Sequence, residues 1–125
     1  VSSEENTNEK KDDKLDKMIA AAKEKHTGPL FLADYKFTDQ DGKDHHLQFV
    51  YREPKEEEMD AYISQLDKSQ TGANRMIMQM SIVAPDPQSI MNEIGNHQNA
   101  VATFIQSYLN PLSGAVKEVL PLRKI

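Results

Sequence analysis

The sequence predicts an α+β fold, with an N-terminal helix and a two-stranded antiparallel β-hairpin packed on a bundle of about four to five short helices. Three observations predict it. Residues 30–37 and 45–52 alternate between apolar and polar around a turn-forming stretch, apolar residues elsewhere recur at helical spacing, and Gly or Pro separates each such segment from the next. A chain of 125 residues has room for one such domain, expected over 14–125.

Residues 1–13 are polar and charged apart from Val1 and are expected to stay disordered, because they can bury too little surface to offset their ordering entropy. Leu15, Met18, Ile19 and Ala22 then follow helical spacing over 14–25, and Gly28-Pro29 stops that helix. The hairpin, 30–52, turns at Thr38-Asp39-Gln40-Asp41-Gly42-Lys43-Asp44. A two-residue Asp41-Gly42 loop would leave the apolar faces of the two strands on opposite sides. A three-residue Gln40-Asp41-Gly42 loop, with Gly42 as the left-handed residue of a bulge, pairs Tyr35 with Leu47, Ala33 with Phe49 and Phe31 with Tyr51. One face becomes wholly apolar, and Asp39 comes beside Lys43 as a weak ion pair.

Pro54 suits the first position of a helix over 54–67, and Glu56, Glu57 and Glu58 sit near its positive end. Met59, Tyr62, Ile63 and Leu66 give that helix a buried stripe. A further helix over 73–84 carries Ala73, Met76, Ile77 and Met80 on one side, while Met78 and Ile82 extend its apolar character to another. Pro85-Asp86-Pro87 breaks the chain, and Asp86 caps a helix over 87–94 whose inner face is Ile90, Met91 and Ile94. Helices over 97–109, burying Val101, Phe104, Ile105 and Tyr108, and over 113–120 complete the series; Pro111 and Pro121 end them. The two-stranded ribbon has open edges, so it needs helices or a strand from another chain to rest on.

The composition excludes several functions. A net charge of -5 leaves no field for gathering phosphates, so nucleic acid is not an expected partner. The absence of cysteine removes disulfides, thiolate metal sites and cysteine nucleophiles. No apolar run approaches a membrane span and the first residues lack the character of a secretory leader, which points to a cytoplasmic protein with no membrane partner.

Catalytic and metal-binding motifs do not assemble along the chain. Asp39, Asp41 and Gly42 have the flavour of a calcium loop, but Phe37 and Gln48 occupy positions that need ligands, so a plain turn is the better reading. His45 and His46 are neighbours on a strand and point to opposite faces, while His26 and His97 are isolated; no metal or other cofactor is expected. His45, at the rim of the apolar face, is the one histidine with a position suited to pH-sensitive pairing. The Glu53, Glu56, Glu57, Glu58, Asp60 cluster reads as a solvated helix start. No residues stand behind an enzymatic activity.

Six methionines in a chain without tryptophan are a different kind of signal, because Met suits both ordinary cores and adaptable binding surfaces. The 73–84 helix is apolar on more than one side, which marks Met76, Ile77, Met78, Met80 and Ile82, with Tyr62 and Phe104, as the expected core or partner-binding groove.

Phe49-Val50-Tyr51-Arg52-Glu53-Pro54 at the end of the ribbon, Glu58 and Tyr62 on the acidic helix, Val83-Ala84-Pro85-Asp86 after the apolar helix and the helical stretch 90–109 follow one another in a distinctive order. In that order, over 15–120, the chain resembles phage tail assembly chaperones. The resemblance implies a non-enzymatic protein of phage or prophage tail morphogenesis in the bacterial host cytoplasm. Such a protein coats the hydrophobic tape-measure protein, keeps it soluble, helps recruit the tail-tube protein and is absent from the finished particle; members are often extended by a programmed frameshift. A self-associating structural or regulatory adaptor, forming a homo-oligomer through the ribbon edge or helical faces, is the alternative from the residues themselves.

Overall fold

The computed structural model describes residues 3–109 and 123–124, and its α+β class agrees with the sequence. The elements are α1 (Ser3–Lys25), β1 (Leu30–Thr38), β2 (Asp44–Arg52), α2 (Glu56–Leu66), α3 (Gln70–Ser81), β3 (Ile82–Ala84), α4 (Pro87–Ile94), α5 (Gln98–Phe104) with a π-helical continuation (Ile105–Leu109), and the two-residue β4 (Arg123–Lys124). The helix expected over 113–120 lies outside the described residues.

The hairpin forms in the register that its side chains require. Tyr35 faces Leu47, Ala33 faces Phe49 and Phe31 faces Tyr51. Gly42 takes φ 81°, a left-handed value that a Cβ disfavours, and its backbone N–H donates to the Asp39 carbonyl oxygen at 3.0 Å. Asp39 does not pair with the Lys43 ammonium: one carboxylate oxygen, Oδ1, accepts from the backbone N–H groups of Asp41 and Lys43. Backbone donors are fixed and close, whereas a lysine head in solvent is neither.

Alternation along the strands gives the sheet two apolar faces. On one, Ala33, Tyr35, Leu47, Phe49 and Tyr51 meet Ile77, Met78, Ile90, Ile94, Val101, Phe104 and Ile105 from the helices. On the other, Leu30, Leu32 and Val50, joined by Val83 and Ala84, receive Ala22, Leu15, Met18 and Ile19 of α1. The molecule is therefore layered, with α1 on one side of the sheet and α3 to α5 on the other. Aromatic rings fill the centre: Phe104 lies 5.3 Å from Phe49 and 5.5 Å from Tyr51, and the Tyr35 hydroxyl donates to the Ala100 carbonyl oxygen at 2.8 Å.

The ribbon is not alone. β3 pairs antiparallel with β2 and β4 with β1, giving the order β3-β2-β1-β4, so parts of both edges expected to lie open are occupied. The 73–84 helix accordingly stops at Ser81, and Ile82–Ala84 is strand; two β-branched residues in a row favour extended backbone there. Helix α1 is longer than the expected 14–25, beginning at Ser3, within the stretch read from composition as a disordered tail. The helix over 87–94 has the expected bounds, with Asp86 accepting from the Gln88 backbone N–H and Pro87 in the first turn.

The junction from β2 into α2 is fixed by charge. Arg52 donates from Nη1 and Nη2 to the two carboxylate oxygens of Glu58, each at 2.7 Å, and from Nη2 to the Met80 carbonyl oxygen at 2.9 Å. Glu58 also accepts from the Lys55 backbone N–H at 2.8 Å, closing the start of α2. Both side chains are largely buried, and the Arg52 guanidinium holds the Glu58 carboxyl below its ordinary pKa.

Two outcomes follow from these constraints. Because the Glu58 pKa is depressed on folding, its stabilisation is present above the unfolded carboxyl pKa and is lost as pH falls through the folded value; urea melts from pH 6 down to pH 3 should show this slope flattened in Glu58→Gln, and Arg52→Ala should cost about 1.5–3 kcal/mol at neutral pH. Gly42→Ala should cost about 1 kcal/mol from backbone strain alone, since a Cβ there meets no neighbour within 4 Å.

Candidate functional site

The partner-binding residues expected from sequence separate into two groups. Ile77, Met78, Ile82 and Phe104 are core, each under 5% exposed, and belong to the cluster beneath the sheet. The second apolar side of the 73–84 segment is therefore covered within the molecule: α3 faces the sheet with Ala73, Ile77, Met78 and Ser81, and the bend into β3 turns Ile82 inward. Met76 and Tyr62 are half-buried, and Met80 is exposed. The predicted buried stripe of α2 is also only partly realised. Met59, Tyr62 and Leu66 are half-buried, but Ile63 is 58% exposed, because α2 packs on α3 along one narrow side.

Between α2, α3 and the π turn lies a small apolar pocket of about 70 Å³ lined by Met59, Tyr62, Ile77, Ile105 and Leu109, with Glu53 and Pro54 at its edge. That volume is well below the several hundred Å³ of small-molecule sites and suits an inserted apolar side chain. Tyr62 is anchored by its hydroxyl, which donates to the Asn74 side-chain oxygen at 3.0 Å. Ile63, one helical turn beyond Met59, and Met80 are the large apolar side chains left exposed among the described residues.

A polar constellation stands at the other end of the sheet. His45 Nε2 is 2.8 Å from Asp39 Oδ2, and its Nδ1 is 3.1 Å from Glu93 Oε1. The His45 ring stacks on Phe37 with centroids 4.5 Å apart and lies 5.2 Å from the ring of His97. Its side chain is 8% exposed and that of Asp39 is 9% exposed, while the Glu93 side chain is 44% exposed. The Asp39 hydrogen bond, followed by that of Glu93, pushes the His45 pKa up; the same His45 contact, helped by the Lys43 backbone N–H, holds Asp39 down. His46 points to the opposite face and pairs with Asp34, as strand alternation requires.

This constellation was only half readable in the sequence. Asp39 and His45 are joined by the hairpin register, but Glu93 comes from α4 and His97 from the α4–α5 turn, more than forty-five residues away. One donor atom each from Asp39, His45 and His97 lie within 4.8 Å of one another. Asp39 and His97 line a cleft of about 680 Å³ together with Phe37, Thr38, Asp41, Asn96 and Asn99. No described helix is long and apolar enough to cross a membrane.

A family model described as Domain of unknown function (DUF6848) matches residues 22–120, and the chain belongs to that family. No curated protein and no solved structure matches it.

Placing Met78 in the core and Met80 outside it predicts opposite responses to one substitution. Met78→Lys should cost more than about 4 kcal/mol and leave no cooperative thermal transition, whereas Met80→Lys, at the C-terminal end of α3, should change stability by less than about 1 kcal/mol.

Proposed function

We infer that the protein is a non-enzymatic chaperone of phage or prophage tail assembly, acting in the host cytoplasm to hold the apolar helices of a tape-measure protein in solution and to help recruit the tail-tube protein. The observation that carries the reading is the apolar pocket of Met59, Tyr62, Ile77, Ile105 and Leu109, together with Ile63 and Met80, exposed on α2 and α3, the helices that supply part of its wall. A long amphipathic partner helix offers apolar side chains at every turn, and a pocket that takes one of them grips anywhere along it. Weak individual contacts then add over many copies, which suits a coat that must later be shed.

Charge supports the same reading. Glu56, Glu57 and Asp60 are exposed on α2 beside the pocket, so a helix bearing Lys next to its apolar stripe is favoured, and the net charge of -5 keeps the laden complex soluble. The segments that carry the resemblance also fall where this surface is built. Arg52-Glu53-Pro54 and Glu58 fix the angle at which α2 leaves the sheet, and Tyr62 lines the pocket. With Met78 and Ile82 in the core, the contact surface is narrower than the whole α3 helix. It comprises the outer face of α2, the pocket and Met80.

Co-expression with a helical tape-measure fragment should increase the soluble yield of that fragment several-fold. Ile63→Gln combined with Met80→Gln should abolish the gain while shifting the chaperone's own stability by less than about 1 kcal/mol. An unchanged soluble yield with the native chain, on repeated trials, would remove the tape-measure reading.

A further inference from the structure

We propose that Asp39, His45 and His97 form a binding site for a divalent transition metal ion of the zinc type, with Glu93 orienting His45. The argument begins with proton arithmetic on one ring. A neutral imidazole has one N–H and one lone pair, yet both nitrogens of His45 face carboxylates, at 2.8 Å to Asp39 and 3.1 Å to Glu93. One of these contacts sets a lone pair against an anion unless a positive charge is supplied. A second ring proton supplies it, and so does a metal ion taken up between Nε2 and the Asp39 oxygen.

The partners are arranged as such a site requires. Glu93 on Nδ1 fixes the tautomer that leaves Nε2 free to ligate, the carboxylate–histidine–metal pattern of natural sites. Asp39 is oriented in its turn, because Oδ1 accepts from the backbone N–H groups of Asp41 and Lys43 and Oδ2 is thereby aimed at His45. His97 supplies a third donor and directs the set towards the polar cleft, where a water can complete four-coordination. Donors around a four-coordinate zinc stand roughly 3.3 Å apart, so the Asp39–His45 pair opens slightly and the half-buried His97 swings in from its present place within 4.8 Å. Two imidazoles with one carboxylate favour zinc, cobalt, nickel or copper over calcium or magnesium.

The site would join parts of the chain that the apolar core leaves to a rim. Asp39 follows β1 at the hairpin loop, His45 is on β2, and His97 stands at the start of α5. A bound ion would clamp the loop to the α4–α5 turn and raise thermal stability as ligand binding to the native state must.

The test is titration of the full chain with ZnCl2 by calorimetry, and with CoCl2 by visible absorption, at pH 7.5. The expected result is one ion per chain, a raised melting temperature, and the d–d bands of four-coordinate cobalt. Asp39→Asn, which keeps a turn acceptor at Oδ1, and His97→Ala should each weaken binding by at least tenfold, and His46→Ala, on the opposite face, should not. Glu93→Ala should weaken binding by about tenfold and Glu93→Gln, which retains an acceptor, by less. Absence of binding up to millimolar zinc would overturn the proposal and leave His45 a cation between two carboxylates. So would binding that survives both Asp39→Asn and His97→Ala, the mark of an adventitious ion only.

Discussion

The three-residue loop closing the hairpin is the constraint on which the rest of the structure depends. Because side chains alternate along a strand, the length of that loop decides whether Tyr35, Ala33 and Phe31 share a face with Leu47, Phe49 and Tyr51 or oppose them. Gly42, with its positive φ, permits the loop that aligns them. Once aligned, the six side chains form the floor on which Phe104, Val101 and Ile77 rest, and the residues of opposite parity, Leu30, Leu32 and Val50, face α1. The same register sets His45 beside Asp39, so the fold and the polar constellation have a common origin.

Features decided by neighbours in sequence were legible before the structure. Asp86 with Pro87 marks the start of α4 because an acceptor side chain and a fixed φ are local properties, and the hairpin register follows from parity and one glycine. Features decided by what lies opposite were not. Ile82 and Val83 continue the helical apolar spacing of α3, yet β2 offers an unpaired edge at Val50 and Tyr51, and edge pairing together with β-branching outweighs the helical pattern. Ile63 fits the apolar stripe of α2 by spacing, but a helix packed along one narrow side cannot bury four residues of that stripe equally.

The same distinction governs the candidate sites. An excess of apolar residues on the 73–84 segment was visible in sequence, but its destination was not: the sheet and helices absorb Met78 and Ile82 and leave Met80 and Ile63 outside. His97 looked isolated because its neighbours along the chain are Asn96 and Gln98, neither of which ligates. It joins Asp39 and His45 only through the packing of α4 and α5 on the sheet, where Ile94, Ala100 and Val101 are buried and carry the intervening turn to the hairpin loop. Long-range apolar contacts thus deliver a polar group that no local pattern could place.

The apolar pocket and the histidine constellation are joined by one helix. His97 stands immediately before α5, and the continuous α5 and π segment ends with Ile105 and Leu109 in the pocket wall, roughly 16 Å further along the axis. Between them Phe104 and Tyr108 stack 5.2 Å apart, and Tyr108 packs edge-on against Tyr35 and Tyr51, so the helix is braced against the sheet along its length. Sliding this helix along the sheet would break the aromatic contacts of Phe104 and Tyr108 together. His97 beside the hairpin loop and the Ile105 and Leu109 wall of the pocket are therefore the two ends of one packed helical segment.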